Sequence, residues 1–215
     1  MEREGASNMS FDKHHISLTE TVLIPHHQHE EIHGNVPVIS ELNLKMRQYD
    51  KLVRLSVMLK NWRTSYEKEF GCNPIDMGLE QILKKKKELL KDAKVLIKND
   101  LKKVKHIKGL GTRYLAGLLA YAHPKRFRNL HRFLLYCGYK GSFSRYSRKV
   151  KSIVHQIVVH LIMCKNEHYY PVYLKLKKDL NERFPTYGKG KIDGMAKNRM
   201  GTLLLKEIYQ IFRGG

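Results

Sequence analysis

Between Glu41 and His106 the apolar residues recur at three- and four-residue steps, and this periodicity limits the fold more than any other feature of the chain. Leu42, Met46, Tyr49, Val53, Leu55, Leu59, Trp62 and Tyr66 mark a helix predicted over about 42–69. The stretch "FGCNPIDMG" interrupts it, with Gly71 as the stop and Pro74 beyond. A second helix is predicted over 78–106, where Leu83, Leu90, Ile97 and Val104 fall every seven residues. Leu79, Ile82, Leu89, Ala93, Leu96 and Leu101 flank that seam, and a helix of this length extends about 40 Å. Two such helices are expected to form an antiparallel coiled-coil hairpin or a dimerising stalk, the plainer alternative being two ordinary bundle helices. "KKKK" at 84–87 reads as a solvated face of that stalk, with a DNA contact as the second reading.

Further helices are predicted near 112–122, 127–137, 146–165, 168–183 and 192–212, broken at "HPKR", "GYKGS" and "FPTYGKGK". No convincing run alternates in the manner of a strand, so the fold class expected is all-α: a long helical hairpin followed by a compact helical domain. Residues 1–40 are rich in His and Ser and interrupted by Pro25, Gly34 and Pro37. They are read as a poorly structured remnant with at most a short strand at "ETVLI". The expected division is therefore 1–40, then 41–106 as hairpin, then 107–215 as the compact domain.

The chain of 215 residues carries 41 Lys and Arg against 20 Asp and Glu, a net charge of +21. A surplus of that size points to a polyanion, either nucleic acid or an acidic membrane face. No apolar run approaches the roughly 18–20 residues needed to cross a bilayer, and "MEREGASNMS" has no signal core. Cys72, Cys137 and Cys164 are widely spaced, without a CxxC pair, and read as reduced thiols. A cytoplasmic protein associated with the nucleoid is expected, with no membrane partner. The charge is also localised, because no Asp or Glu lies between Asp100 and Glu167.

Within that acid-free stretch stands "HIKGLGTRYLAGLLAYAHPKRF", an apolar helix opened by Gly-x-Gly. Packing alone does not need the glycines, since each costs backbone entropy. Ile107 and Leu110 are expected to anchor the turn, while Gly109 and Gly111 let it bend and leave the amides of Gly111, Thr112 and Arg113 free. A helix N-terminus of this kind binds an anion, and Lys108 and Arg113 add charge beside it. This is the form of a helix-hairpin-helix element, which grips the DNA backbone without reading bases. A looser second copy is read at "YCGYKGSFS", with Gly138 and Gly141, and Lys140, Arg145, Arg148 and Lys149 complete the predicted DNA-binding residues. The same stretch lacks the carboxylates that two-metal phosphoryl transfer requires. It also lacks the lysine and downstream acid of a base-excision glycosylase. It either only binds DNA or acts through a hydroxyl nucleophile.

"IKGLGTRYLAGLLAYAHPKRFRNLHRFLLYCGY" resembles the C-terminal domain of the insertion-sequence 110/116/902 transposases, whose signature is an "IPGIG…A…L…RF…Y.G" core. "RLSVMLKNWRTSYEKEFG" resembles the family's coiled-coil segment, and the tail from "YYPVYLK" to "LLLKEIY" is similar to archaeal members. The resemblance covers about residues 42–212. It implies a DNA recombinase in which an N-terminal RNase-H-like domain holds magnesium with four acidic residues and the C-terminal domain supplies a nucleophilic serine. It further implies a guide RNA and a homo-oligomer joined through the coiled coil. The residues before the hairpin are too few for the acidic domain, so a truncated copy with an incomplete active site is expected, with Mg2+ needed only alongside the missing domain and no cofactor in this chain. The family's "SSGG"-type motif is replaced by "KGSFSRYSRK", where Ser142 is the best match for the nucleophile and Ser144 the second. Both could instead cap the helix that follows. A non-catalytic architectural or regulatory DNA-binding protein is the alternative function.

"HEEIH" at 29–33 spells a zincin motif, but Gly34 and Pro37 follow at once and deny it a supporting helix. Adventitious zinc or nickel binding by His26, His27, His29 and His33 is the more natural reading. "YGKGKIDG" lacks the spacing of a nucleotide-binding P-loop, although its lysines are placed to touch a phosphate before the last helix. Lys197 and Arg199 read equally as DNA-facing or solvated. Trp62, Phe127, Phe133, Tyr169 and Tyr170 read as core or interface residues.

Overall fold

The computed structural model of the chain describes residues 36–71, 76–141 and 146–213, all within the unit Gly34–Gly215. Among these residues eight α-helices succeed one another and no strand occurs. They are α1 (Val36–Phe70), α2 (Asp76–Leu96), α3 (Lys98–Lys103), α4 (Thr112–Ala122), α5 (Leu130–Tyr136), α6 (Arg148–Met163), α7 (Tyr169–Arg183) and α8 (Lys189–Arg213), with a 3-10 turn at Pro124–Arg126. The "HEEIH" segment, Cys72, Ser142, Ser144 and Arg145 lie outside the described residues.

The fold is built around α4. Leu115, Ala116, Leu118, Leu119, Ala120 and Ala122 are all fully buried, and a helix apolar on every side has to be wrapped by others. α1, α2 and α6 pack on it directly. α8 closes the far side through α5 and α6, turning Ile192, Ala196, Met200, Leu204, Leu205, Ile208 and Phe212 inward at three- and four-residue steps. Each fully buried leucine or isoleucine of this set contributes about 1.5–3 kcal/mol of apolar burial.

α1 and α2 lie antiparallel, since Lys45 reaches Asp92 (3.0 Å) while Ser56, further along α1, meets Lys86 (3.3 Å), earlier on α2. The first half of α1 presents Leu42, Met46 and Tyr49 to the core, and Asn43 donates to the carbonyl of Ala120 in the last turn of α4 (2.7 Å). Further along, Leu55, Met58, Trp62 and Phe70 are exposed, so of the two readings of Trp62, core or interface, the core reading does not hold. The second long helix is also shorter than its heptads foretold. It ends at Leu96, about 31 Å from its start, and the chain kinks at Ile97 (φ −102°, ψ 18°). No Pro or Gly causes the kink. Ile97 and Val104, the last two heptad residues, are buried in the core, while Leu83 and Leu90 on α2 stay half-buried.

Three carboxylates, each shared by a tyrosine and a basic residue, tie distant segments together. Tyr121 on α4 donates to Asp50 on α1 (2.7 Å), which also pairs with Lys149 of α6 (2.7 Å). Tyr169 donates to Glu207, whose other oxygen meets His106 (2.8 Å). Tyr173 donates to Asp193, which pairs with Lys197 (2.6 Å). Burial first, then the bond to Asp193, pushes the Tyr173 phenol up to about 12, so it stays a neutral donor.

His123 closes α4 as a neutral acceptor. Its Nδ1 takes a hydrogen bond from the Lys125 amide (3.2 Å) while its ring meets Phe212 edge-on. Burial, then Lys125, Arg126 and Lys103, lower its pKa from 6.5 to about 4. As pH falls below 6.5 the unfolded chain takes this proton first, so stability declines between pH 6.5 and 4, by at most about 1.4 kcal/mol per pH unit. Denaturant titrations at stepped pH should show that slope in the parent protein and a flatter one in His123→Gln.

Candidate nucleic-acid interface

Because α4 is wrapped along its length, only its ends can reach solvent. The N-terminal end does so through the turn Ile107–Leu110, closed by the Leu110 amide on the Ile107 carbonyl (3.0 Å). Ile107 and Leu110 are buried and hold the turn against the core, as the sequence indicates. The two glycines have different duties. Gly109 occupies the third turn position at φ +102°, which a side chain rarely adopts, and a Cβ there would stand 3.0 Å from Cys164 Sγ and 3.2 Å from Leu161. It is therefore a packing glycine that faces α6, which corrects the expectation that packing needs neither. Gly111 has an ordinary extended conformation (φ −77°, ψ 175°), is exposed, and has nothing within 4 Å of a Cβ. Neither backbone strain nor crowding explains its presence, and its open side is where another molecule can approach.

The Tyr114 and Leu115 amides are both satisfied by the Gly111 carbonyl (3.1 and 3.0 Å). Those of Gly111, Thr112 and Arg113 have no acceptor among the described residues, and no side chain caps the helix. They border an open cleft of about 470 Å³, floored by Leu101, Val104 and Leu110 and walled by Tyr114 and His160, whose rings stand 5.4 Å apart. Unpaired amides, a helix dipole and an adjoining cleft make an anion site in physical terms.

The charge around this cleft differs from the sequence expectation in both directions. Lys108 is not free: its ammonium pairs with Glu167, and its carbonyl accepts from Asn166 Nδ2 (2.6 Å). The Lys108 ammonium, hydrogen-bonded to the Glu167 carboxyl, holds that acid below its ordinary range. Lys149 is likewise engaged by Asp50. The acid-free stretch thus recruits counter-ions from its flanks, which a count along the chain misses. Lys140, Arg148 and Lys149 also do not gather at the glycine turn. Arg148 opens α6 and His160 stands near its other end, about 18 Å along the helix.

Arg113, in contrast, gains companions that sequence reasoning missed. Its guanidinium lies 5.9 Å from the Tyr49 ring and 5.7 Å from that of Tyr114. Lys86 stands over the same Tyr49 ring at 6.0 Å, holding the Oγ of the buried Ser56 at 3.3 Å. Burial first, then Arg113 and Lys60, lowers the Lys86 pKa. No carboxylate among the described residues pairs with Arg113, Lys86 or Lys60. Lys86 is the one lysine of "KKKK" turned inward rather than exposed. Its place four positions before Leu90 in the seam was the available signal.

Of the second glycine pair, Gly138 belongs to a helix ending. Gly138 (φ +76°) donates to Leu135 and Tyr139 donates to Leu134, the double bond of a Schellman stop on α5. The N-cap of α6 is Ser147, whose Oγ accepts from the Val150 amide (3.3 Å). Among the described residues no three His, Cys, Asp or Glu side chains gather as a metal site, and no helix is long and apolar enough to cross a membrane.

The unlike roles of the two glycines give a stability contrast. Gly109→Ala should cost about 1–3 kcal/mol, the cost of a non-glycine residue in the left-handed region. Gly111→Ala, which loses only the N-cap preference for glycine and meets neither strain nor crowding, should cost less than Gly109→Ala. Differential scanning calorimetry of both variants checks this, and equal losses would contradict the geometry. Comparison of the chain with models of known protein families, with curated proteins and with solved structures gives no match.

Proposed function

We propose that this chain binds the sugar–phosphate backbone of DNA at the N-terminus of α4. The observation that carries the reading is the coincidence of three unpaired amides, at Gly111, Thr112 and Arg113, with a cation group that has no acid of its own. Arg113, Lys86 and Lys60 repel one another, and an incoming phosphate relieves that repulsion while accepting from the amides. Lys140 and Arg148, at the other end of α6, provide a second place for the same duplex to rest. In this reading Ile107–Ala122 serves as the helix-hairpin-helix element, and α1 with α2 forms the coiled-coil hairpin. The exposed Leu55, Met58, Trp62 and Phe70 support an oligomer through that hairpin.

By its resemblance to insertion-sequence 110/116/902 transposases, the chain serves DNA transposition, with Ser142 as nucleophile and Ser144 as second choice. A binding-only architectural or regulatory role is the second reading. One observation favours it: Asp50, Asp193 and Glu207 are all engaged by tyrosines and basic side chains in structural clips. The two part on covalent chemistry, because only the first, with an acidic RNase-H-like domain and Mg2+ supplied in trans, yields a serine-linked DNA adduct lost in Ser142→Ala.

Binding itself is tested by electrophoretic shift against salt. Log affinity for duplex DNA should fall linearly with log salt, and removing one phosphate contact should lower that slope by about 0.9. Arg113→Ala and Lys86→Ala should each do so across unrelated sequences, whereas Lys85→Ala, on the exposed face, should change it little. A duplex left unbound in dilute buffer, or equal effects at Lys85 and Lys86, would overturn the reading.

A further inference from the structure

We infer that the cleft between α7 and α8 takes one nucleotide of an unpaired nucleic-acid strand, separately from the α4 site. The cleft measures about 380 Å³ and is lined by Leu174, Lys177, Lys178, Asn181, Lys189 and Ile192. Three lysines and no carboxylate face it. Asp193, the nearby acid, is already held by Tyr173 and Lys197, leaving Lys177 at 3.7 Å from it. Lys178 and Lys189 meet no carboxylate among the described residues. The amides of Lys189 and Gly190 at the start of α8 also lack acceptors, and Gly188 and Gly190 have nothing near a Cβ.

The turn carrying Lys189 is held in place. Phe184 and Tyr187 stack nearly parallel, 5.1 Å apart, and the Lys191 ammonium sits 3.4 Å from the Tyr187 ring centre. A fixed cationic rim suits a phosphate, but it does not explain the floor, where Leu174 is 47% exposed beside Ile192. A duplex keeps its bases stacked inside and offers only phosphates, so an apolar floor gains nothing from it. An unpaired nucleotide uses both parts, laying its base on Leu174 and its phosphate among the lysines, with the Asn181 amide able to donate to and accept from the base edge. The volume lies within the range of small-molecule sites.

The test compares a short fluorescent oligothymidylate with a blunt duplex by anisotropy. Lys178→Ala/Lys189→Ala should lower the single-strand slope of log affinity against log salt by about 1.4, two contacts at about 0.7 each. Duplex affinity should not change. Leu174→Glu, at an exposed position that leaves the core intact, should weaken the single strand and spare the duplex. Thymidine monophosphate should compete at lower concentration than inorganic phosphate. Parallel losses for strand and duplex, no loss in either variant, or phosphate competing as well as the nucleotide would each overturn the proposal. Arg113→Ala reports on the α4 site alone, so failure there leaves this outcome readable.

Discussion

The burial of α4 on all sides is the constraint from which the rest follows. Seven of its eleven residues are inaccessible, so the other helices are arranged as its coat. A wrapped helix still has unpaired donors at its start, and burying them would be costly. The turn at Gly109 brings that start to the surface, with Ile107 and Leu110 as anchors and Cys164 and Leu161 pressed against the glycine. The exposed amides are thus a consequence of how the core is built, and the cations collected around them decide what they meet.

Charge is distributed by the same logic. The chain has about half as many acids as bases, and several acids are used where they join segments far apart in sequence. Asp50 connects α1 to α4 and α6, Glu207 connects α8 to α7 and the turn before Ile107, and Asp193 connects α8 to α7. In each clip a tyrosine hydroxyl shares the carboxylate with a basic residue, so the acid is satisfied without being deeply buried. Among the described residues, the cations left without a carboxylate include Arg113 and Lys86 near the start of α4, and Lys178 and Lys189 between α7 and α8.

Much of the helical order was legible from periodicity, because buried positions at three- and four-residue steps leave a direct trace. Thr112–Ala122 begins and ends where its pattern does, and the other helices shift by a few residues at caps such as Asn129 and Ser147. The kink at Ile97 was not legible. A heptad reports that Ile97 and Val104 are buried, but it cannot say that the helix carrying Leu83 and Leu90 stops at Leu96, before them. The ion pairs were hidden for a related reason: Lys108–Glu167 and Lys149–Asp50 span 59 and 99 positions, and a count along the chain sees only neighbours. The inward turn of Lys86 toward Tyr49 depends on the rotation of α2 against α1, which side-chain chemistry alone does not specify.

On the proposed reading, the pairing of Lys108 with Glu167 has a bearing on how fast a bound strand departs. A carboxylate parked on the ammonium is a resident rival for any phosphate oxygen that arrives, and it stands ready to reclaim the cation whenever that oxygen lifts away. Such tethered competition shortens residence without blocking arrival, because Glu167 is fully solvent-facing and yields at small cost. A chain with this much positive charge would otherwise cling to every polyanion it touched. If the turn holds a strand as proposed, one glutamate beside it provides a means of letting go.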